Sequence, residues 1–137
     1  MERTLAIMKP DCVQKKIIGK VIDKILDDGF NILGLKMIRL SVAQAQAFYD
    51  VHAGKSFYEE LVEFMTEGPV VVAALEKENA IMAWRELMGA TNPEQAKEGT
   101  IRKLYADNVG RNIVHGSDAP ETAKREIAFF FSEYELL

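Results

Sequence analysis

Six successive apolar residues, Val70-Val-Val-Ala-Ala-Leu75, follow Gly68-Pro69 and read as a strand buried on both faces. Such a strand needs covering layers above and below it, which confines the chain to a layered α/β arrangement. A second short apolar run, Thr4–Met8, is closed by Lys9-Pro10, so its end delivers Lys9 to an edge or cleft. Between these two runs the apolar period changes. Ile17, Ile18, Val21, Ile22, Ile25 and Leu26 recur on one helical face, with Asp23, Lys24 and Asp27 opposite and Gly29 as the stop.

The segment from Asn31 to Leu40 predicts a strand with Leu33, Leu35 and Met37 on one side and Ile32, Ile38 and Leu40 on the other. Ser41-Val-Ala-Gln44 is a capping box that opens a helix through Phe48 and Tyr49, and Leu61, Val62 and Met65 mark a further short helix. After the Val70 strand, Ile81, Trp84, Leu87 and Met88 predict a helix that ends at Gly89. From Gly89 to Gly116 the pattern loosens, with one helical turn over Thr100 to Ala106. A second capping box, Asp118-Ala-Pro-Glu121, predicts a helix to about Glu126, followed by an apolar strand from Ile127 to Phe131.

This order describes a split β-α-β plan with extra helices. It predicts an α/β (α+β) protein with a ferredoxin-like, four-stranded, mostly antiparallel sheet and covering helices. A small doubly wound parallel sheet is the alternative. The 137 residues suit a single domain spanning 1–137.

With 48% hydrophobic and 28% charged residues, the chain has the balance of a globular protein, and no apolar run approaches the roughly 18 residues of a membrane span. The start, Met1-Glu-Arg-Thr, lacks a signal-peptide pattern, so a cytoplasmic protein without a membrane partner is expected. A net charge of −4 argues against a nucleic-acid surface. The single cysteine, Cys12, and two histidines leave no zinc-type ligand set, so any metal must arrive with a substrate.

The chemistry concentrates in Gly110-Arg-Asn-Ile-Val-His115-Gly-Ser-Asp-Ala119. Imidazole is nucleophilic near pH 7, Gly116 lets the backbone come close, Asn112 offers an amide, and Ser117 or Asp118 can cap the following helix. Gly54-Lys55-Ser56 imitates the end of a phosphate loop, but Tyr49 stands where that motif requires glycine. Phosphate would therefore be held by side-chain cations, for which Lys9, Arg85, Arg102 and Arg111 are placed at element ends or in the irregular segment.

Lys9-Pro10-Asp11, Gly89-Ala-Thr-Asn-Pro93, Gly99-Thr-Ile-Arg102 and Asn112-Ile-Val-His115-Gly-Ser-Asp118 together resemble the nucleoside diphosphate kinases, from Arg3 to Phe131. The resemblance implies ping-pong transfer of a γ-phosphoryl group from a nucleoside triphosphate to His115, then to a nucleoside diphosphate. It implies attack by Nδ1, with Glu126 orienting the ring and Ser117 bonded to Glu126. Lys9, Tyr49, Arg85, Thr91 and Arg102 correspond to phosphate-side residues, Asn112 and Lys9 to sugar contacts, and Phe57 and Val109 to the pair around the base. Mg²⁺ is implied through the nucleotide phosphates, with no protein side chain as its ligand, and a homo-oligomer, tetramer or hexamer, is implied as the assembly. Cys12 and Lys103-Leu104 depart from the family pattern at positions without an assigned role, and His52 is read as a surface or interface residue.

Overall fold

A computed structural model describes every residue from Met1 to Leu137. Its sheet has the order β2-β3-β1-β4, built from β1 (Glu2–Met8), β2 (Asn31–Ile38), β3 (Val70–Lys77) and β4 (Val114–Gly116). All three pairings are antiparallel. β3 is inserted between β1 and β2, as the split β-α-β plan requires, and the parallel alternative is excluded.

Alternation along the central strands explains their unbroken apolar sequence. Leu5 and Ile7 of β1 join Val70, Val72 and Ala74 of β3 in one core cluster. Ala6 and Met8 join Val71, Ala73 and Leu75 in the other, across the sheet. The first cluster is covered by α3 (Val42–Phe48), α4 (Tyr58–Met65) and α7 (Pro120–Phe130). The second is covered by α1 (Pro10–Gln14), α2 (Ile18–Asp27), α5 (Ala80–Met88) and α6 (Ile101–Tyr105). The Ser41 capping box forms as read, with reciprocal bonds between Ser41 and Gln44.

Three expectations are corrected. Ile127–Phe131 is not a strand: all but its last residue continue α7, because Ala123, Glu126, Ile127 and Phe130 are buried at helical spacing while Ala128 and Phe129 face out. The fourth strand is instead Val114–Gly116, which pairs with Met8, Ile7 and Ala6 and is too short to carry an alternation. Neither Ser117 nor Asp118 caps α7; its N-cap is Ala119, without a side-chain bond, and Pro120 supplies the fixed φ of a first helical turn. In β2 the register shifts between Ile32 and Gly34. The extra residue changes the parity, so Leu35 and Met37 lie opposite Ala73 and Val71, on the other face from Leu33. Leu35 and Met37 are left exposed on an edge strand.

Candidate active site

His115 lies in the middle of β4, paired with the fully buried Ile7 of β1. Its backbone carbonyl accepts a hydrogen bond from the Trp84 indole N–H at 3.0 Å. The next residue has to be glycine. A Cβ on Gly116 would come within 2.5 Å of the Trp84 ring and 2.7 Å of Met88. The close approach anticipated at this glycine is thus to the α5 packing face.

The imidazole Nε2 is 2.9 Å from Glu126 Oε1, and the same oxygen accepts the Ser117 hydroxyl proton at 2.7 Å. Ser117 Oγ in turn accepts the Leu5 N–H at 3.1 Å, which ties the chain of bonds back to β1. A carboxylate oxygen only accepts, so Nε2 carries the ring proton and Nδ1 keeps its lone pair. Burial pushes the Glu126 carboxyl up, but the hydrogen bond and charge of His115, with the Ser117 hydroxyl, outweigh it and hold the group below the usual carboxylate range. Glu126 is therefore ionised where the imidazole needs orienting. The ring is 18% exposed and is packed edge-on by Phe48 and Tyr49.

Lys9 ends β1 as expected and is buried, with Nζ 2.8 Å from Asn112 Oδ1. Burial, reinforced by the charge of Arg102, lowers its pKa to about 8. Between Asn112 and β4 stands Ile113, fully buried at φ 75°. A β-branched residue in this region is strained. It is clamped from both sides: its N–H donates to Asp11 Oδ2 at 3.0 Å, and its carbonyl accepts from the Lys9 N–H at 2.9 Å. The reversal places the Asn112 side chain beside Lys9 and passes the chain on to His115.

Arg102 is buried and donates to three backbone carbonyls, those of Gly89, Asn112 and Val114. Burial brings its pKa down to about 10. The structure gives it a scaffolding task that the sequence did not reveal, fastening the end of α5 to the strand that bears His115. Thr91 accepts from the Asn112 amide through its backbone carbonyl at 3.4 Å.

These residues open onto a cleft of about 1030 Å³. It is lined by His115, Lys9, Tyr49, Arg85, Thr91, Arg102, Asn112, Ser117 and Glu126, and at its outer part by the exposed Phe57 and Val109. Every candidate site residue is brought together. The Tyr49 hydroxyl is buried without a hydrogen-bond partner. Burial and the charge of Glu126 raise its pKa, so it is a neutral donor. Sequence reasoning missed Arg125, Thr122 and His52, which also line the cleft. His52 is partly exposed, consistent with a surface residue, and on the side of the cleft it stacks on Tyr49 and leans on Phe57. Its three-residue spacing from Tyr49 was the available signal. Cys12 is buried in the α2/α5 core and its thiol is pushed up to about 12, so it is inert. No three His, Cys, Asp or Glu side chains are grouped to hold a metal ion, and no helix is long and apolar enough to cross a membrane.

A family model for nucleoside diphosphate kinase matches residues 2–136. The nucleoside diphosphate kinase of Persephonella marina is 55% identical over 137 residues, covering 100% of this chain and 98% of the relative. That of Chlorobium limicola is 58% identical over 137 residues, with the same 100% and 98% coverage. Among solved structures, the Aquifex aeolicus nucleoside diphosphate kinase superposes with a TM-score of 0.97 at 45% identity, covering 99% of both chains. The halophilic enzyme of Halobacterium salinarum, in complex with CDP, gives 0.95 at 39% identity, covering 99% of this chain and 91% of its own. With the histidine, the carboxylate bonded to it and the cation-lined cleft in one place, and with relatives of this similarity over its whole length, the chain belongs to the nucleoside diphosphate kinase family.

Proposed function

We propose that the protein transfers the γ-phosphoryl group of a nucleoside triphosphate to His115 Nδ1 and then to a nucleoside diphosphate, using one cleft for both half-reactions. The observation that carries this reading is the engagement of Nε2 by Glu126 at 2.9 Å, which leaves Nδ1 as the nucleophile at the cleft. Attack forms an N–P bond as the bond from the γ-phosphorus to the bridging oxygen breaks, and the diphosphate leaves with that electron pair. The second half-reaction reverses these steps on a different nucleotide. As positive charge develops on the ring, the ionised Glu126 offsets it through the Nε2 proton.

Lys9, Arg85, Arg102 and Thr91 lie on the phosphate side, and the unpartnered Tyr49 hydroxyl is a donor awaiting a substrate oxygen. Cations spread around a loose phosphoryl transition state are most of what a protein can supply. In this reading Mg²⁺ would arrive with the nucleotide, held by no protein side chain, and would neutralise part of the phosphate charge. Lys9 and Asn112 take the sugar hydroxyls, and Phe57 and Val109 flank the base. Residues 1–137 act as one kinase domain, since both core clusters pack on the same sheet. A cytoplasmic homo-oligomer, tetramer or hexamer, completes the proposal; the exposed Leu35 and Met37 on the open edge strand β2 supply apolar surface for assembly.

Labelling with γ-³²P-ATP alone tests the reading. The protein takes up acid-labile label that any nucleoside diphosphate removes. A ligand-binding module takes up none, and a protein phosphocarrier keeps its label in the presence of ADP. In Glu126→Ala the rate of label uptake falls about 10- to 100-fold, the usual effect of losing an orienting group; an unchanged rate refutes that role.

The buried Lys9 gives the reaction a pH limit. Its ammonium attracts the nucleotide only while protonated, so kcat/KM, which reports the free enzyme, declines as pH rises through about 8. A bound anion favours the charged lysine, so the decline in kcat lies at higher pH. Lys9→Arg removes the inflection whatever its absolute rate, and an unshifted inflection in that variant assigns it to another group.

A further inference from the structure

The outer cleft has two walls from different parts of the chain. One comprises Phe57 and the α4 face behind it, with Phe64, and ends at Glu67. The other is the loop that carries Val109, where Asn108 Oδ1 accepts the N–H groups of Gly110 and Arg111 in a tight turn. A single side-chain pair joins these walls by hydrogen bonds. Arg111 donates from both terminal nitrogens to the two Glu67 oxygens, at 2.8 and 3.1 Å. Its guanidinium lies 4.8 Å over the Phe64 ring, and Glu67 Oε2 also accepts from Gln14 at 3.1 Å.

Exposed ion pairs usually hold little, because two long side chains must be ordered for a screened attraction. Here the fork geometry, the aromatic plane beneath it and the third partner already restrict both side chains. The Arg111 hydrogen bonds also hold the Glu67 carboxyl below the usual range, which keeps the pair charged near neutral pH. Arg111 stands two residues from Val109 and directly before Asn112, so the loop cannot move away from α4 while the pair is made.

We propose that the Arg111–Glu67 pair is a positioning pair that fixes the spacing between Phe57 and Val109 and thereby sets affinity for the nucleobase. The proposal rests on the reading of this cleft as the nucleotide site. It separates base affinity from chemistry: both terminal nitrogens of Arg111, a phosphate cation by the sequence reading, are taken up by Glu67 instead, and neither side chain bonds to His115, Glu126 or Lys9.

Titration calorimetry with ADP and with ribose 5-diphosphate, which has the sugar and phosphates without a base, tests it on the wild type and on Glu67→Ala and Arg111→Ala. Both side chains are partly exposed, so the variants fold. ADP binding weakens about 3- to 10-fold in each, ribose 5-diphosphate changes less than about 2-fold, and kcat at saturation is retained. The double variant Arg111→Glu with Glu67→Arg recovers most of the ADP affinity. Unchanged ADP binding in Glu67→Ala, or equal losses for the two ligands, overturns the pair's role. A wild type that binds ADP no more tightly than ribose 5-diphosphate removes the base site itself, and a wild type that binds neither removes the nucleotide reading.

Discussion

His115→Ala retains the fold and forms no phosphoenzyme, with transfer reduced by at least about 10⁴-fold, the scale of loss when a nucleophile is removed. The imidazole contributes edge contacts to Phe48 and Tyr49 and one hydrogen bond, so its truncation costs about 1–2 kcal/mol. Glu126 keeps the Ser117 hydroxyl and is not left unpartnered. Circular dichroism and labelling on the same sample check both halves of the expectation. Retained transfer in a folded variant excludes His115 as the phosphate acceptor.

The second large effect lies in the sugar. Lys9 Nζ and the Asn112 side chain are both buried and bonded to each other at 2.8 Å, so a 3′-hydroxyl beside the pair would be held by groups that have left water. A substrate that lacks the hydroxyl leaves the remaining N–H donors of the pair short of a partner, and sites of this kind reject such analogues by about 10⁴-fold. The base behaves differently. Phe57 offers a ring face, and stacking varies little among bases, so ATP, GTP, CTP and UTP fall within roughly 30-fold in kcat/KM. Steady-state rates for these four, with the 2′-deoxy and 2′,3′-dideoxy forms of one, make the comparison. Equal turnover of deoxy and dideoxy forms, or a preference of thousands for one base, contradicts this account of the cleft.

Most of the sheet was legible because burial on two faces forces apolar residues at every position, as in Val70–Leu75, and most helices were legible because one-sided burial forces a 3.6-residue period. β4 was not legible. Three residues cannot display a period, and their strand character comes from pairing with Ala6–Met8, which is tertiary information. The same limit disguised Ile127–Phe131, where Ile127, Phe130 and Phe131 alone suggest a strand and only Ala123 and Glu126, read together with them, reveal the helical face. At the site, His115 stood out through its glycine and asparagine neighbours. Its bond to Glu126 crosses eleven residues and became an expectation only through the family resemblance. The scaffolding role of Arg102 was hidden for a different reason: a guanidinium that binds carbonyls looks, in sequence, like one that binds phosphate.

The indole of Trp84 bonds to the backbone carbonyl of the residue proposed to accept phosphate, and it is the chain's single tryptophan. Its emission therefore comes from one chromophore, shielded from solvent and attached to the strand on which charge appears during turnover. Were phosphorylation of the ring to alter the field at that carbonyl, a change in this one indole's emission would follow each half-reaction without a label.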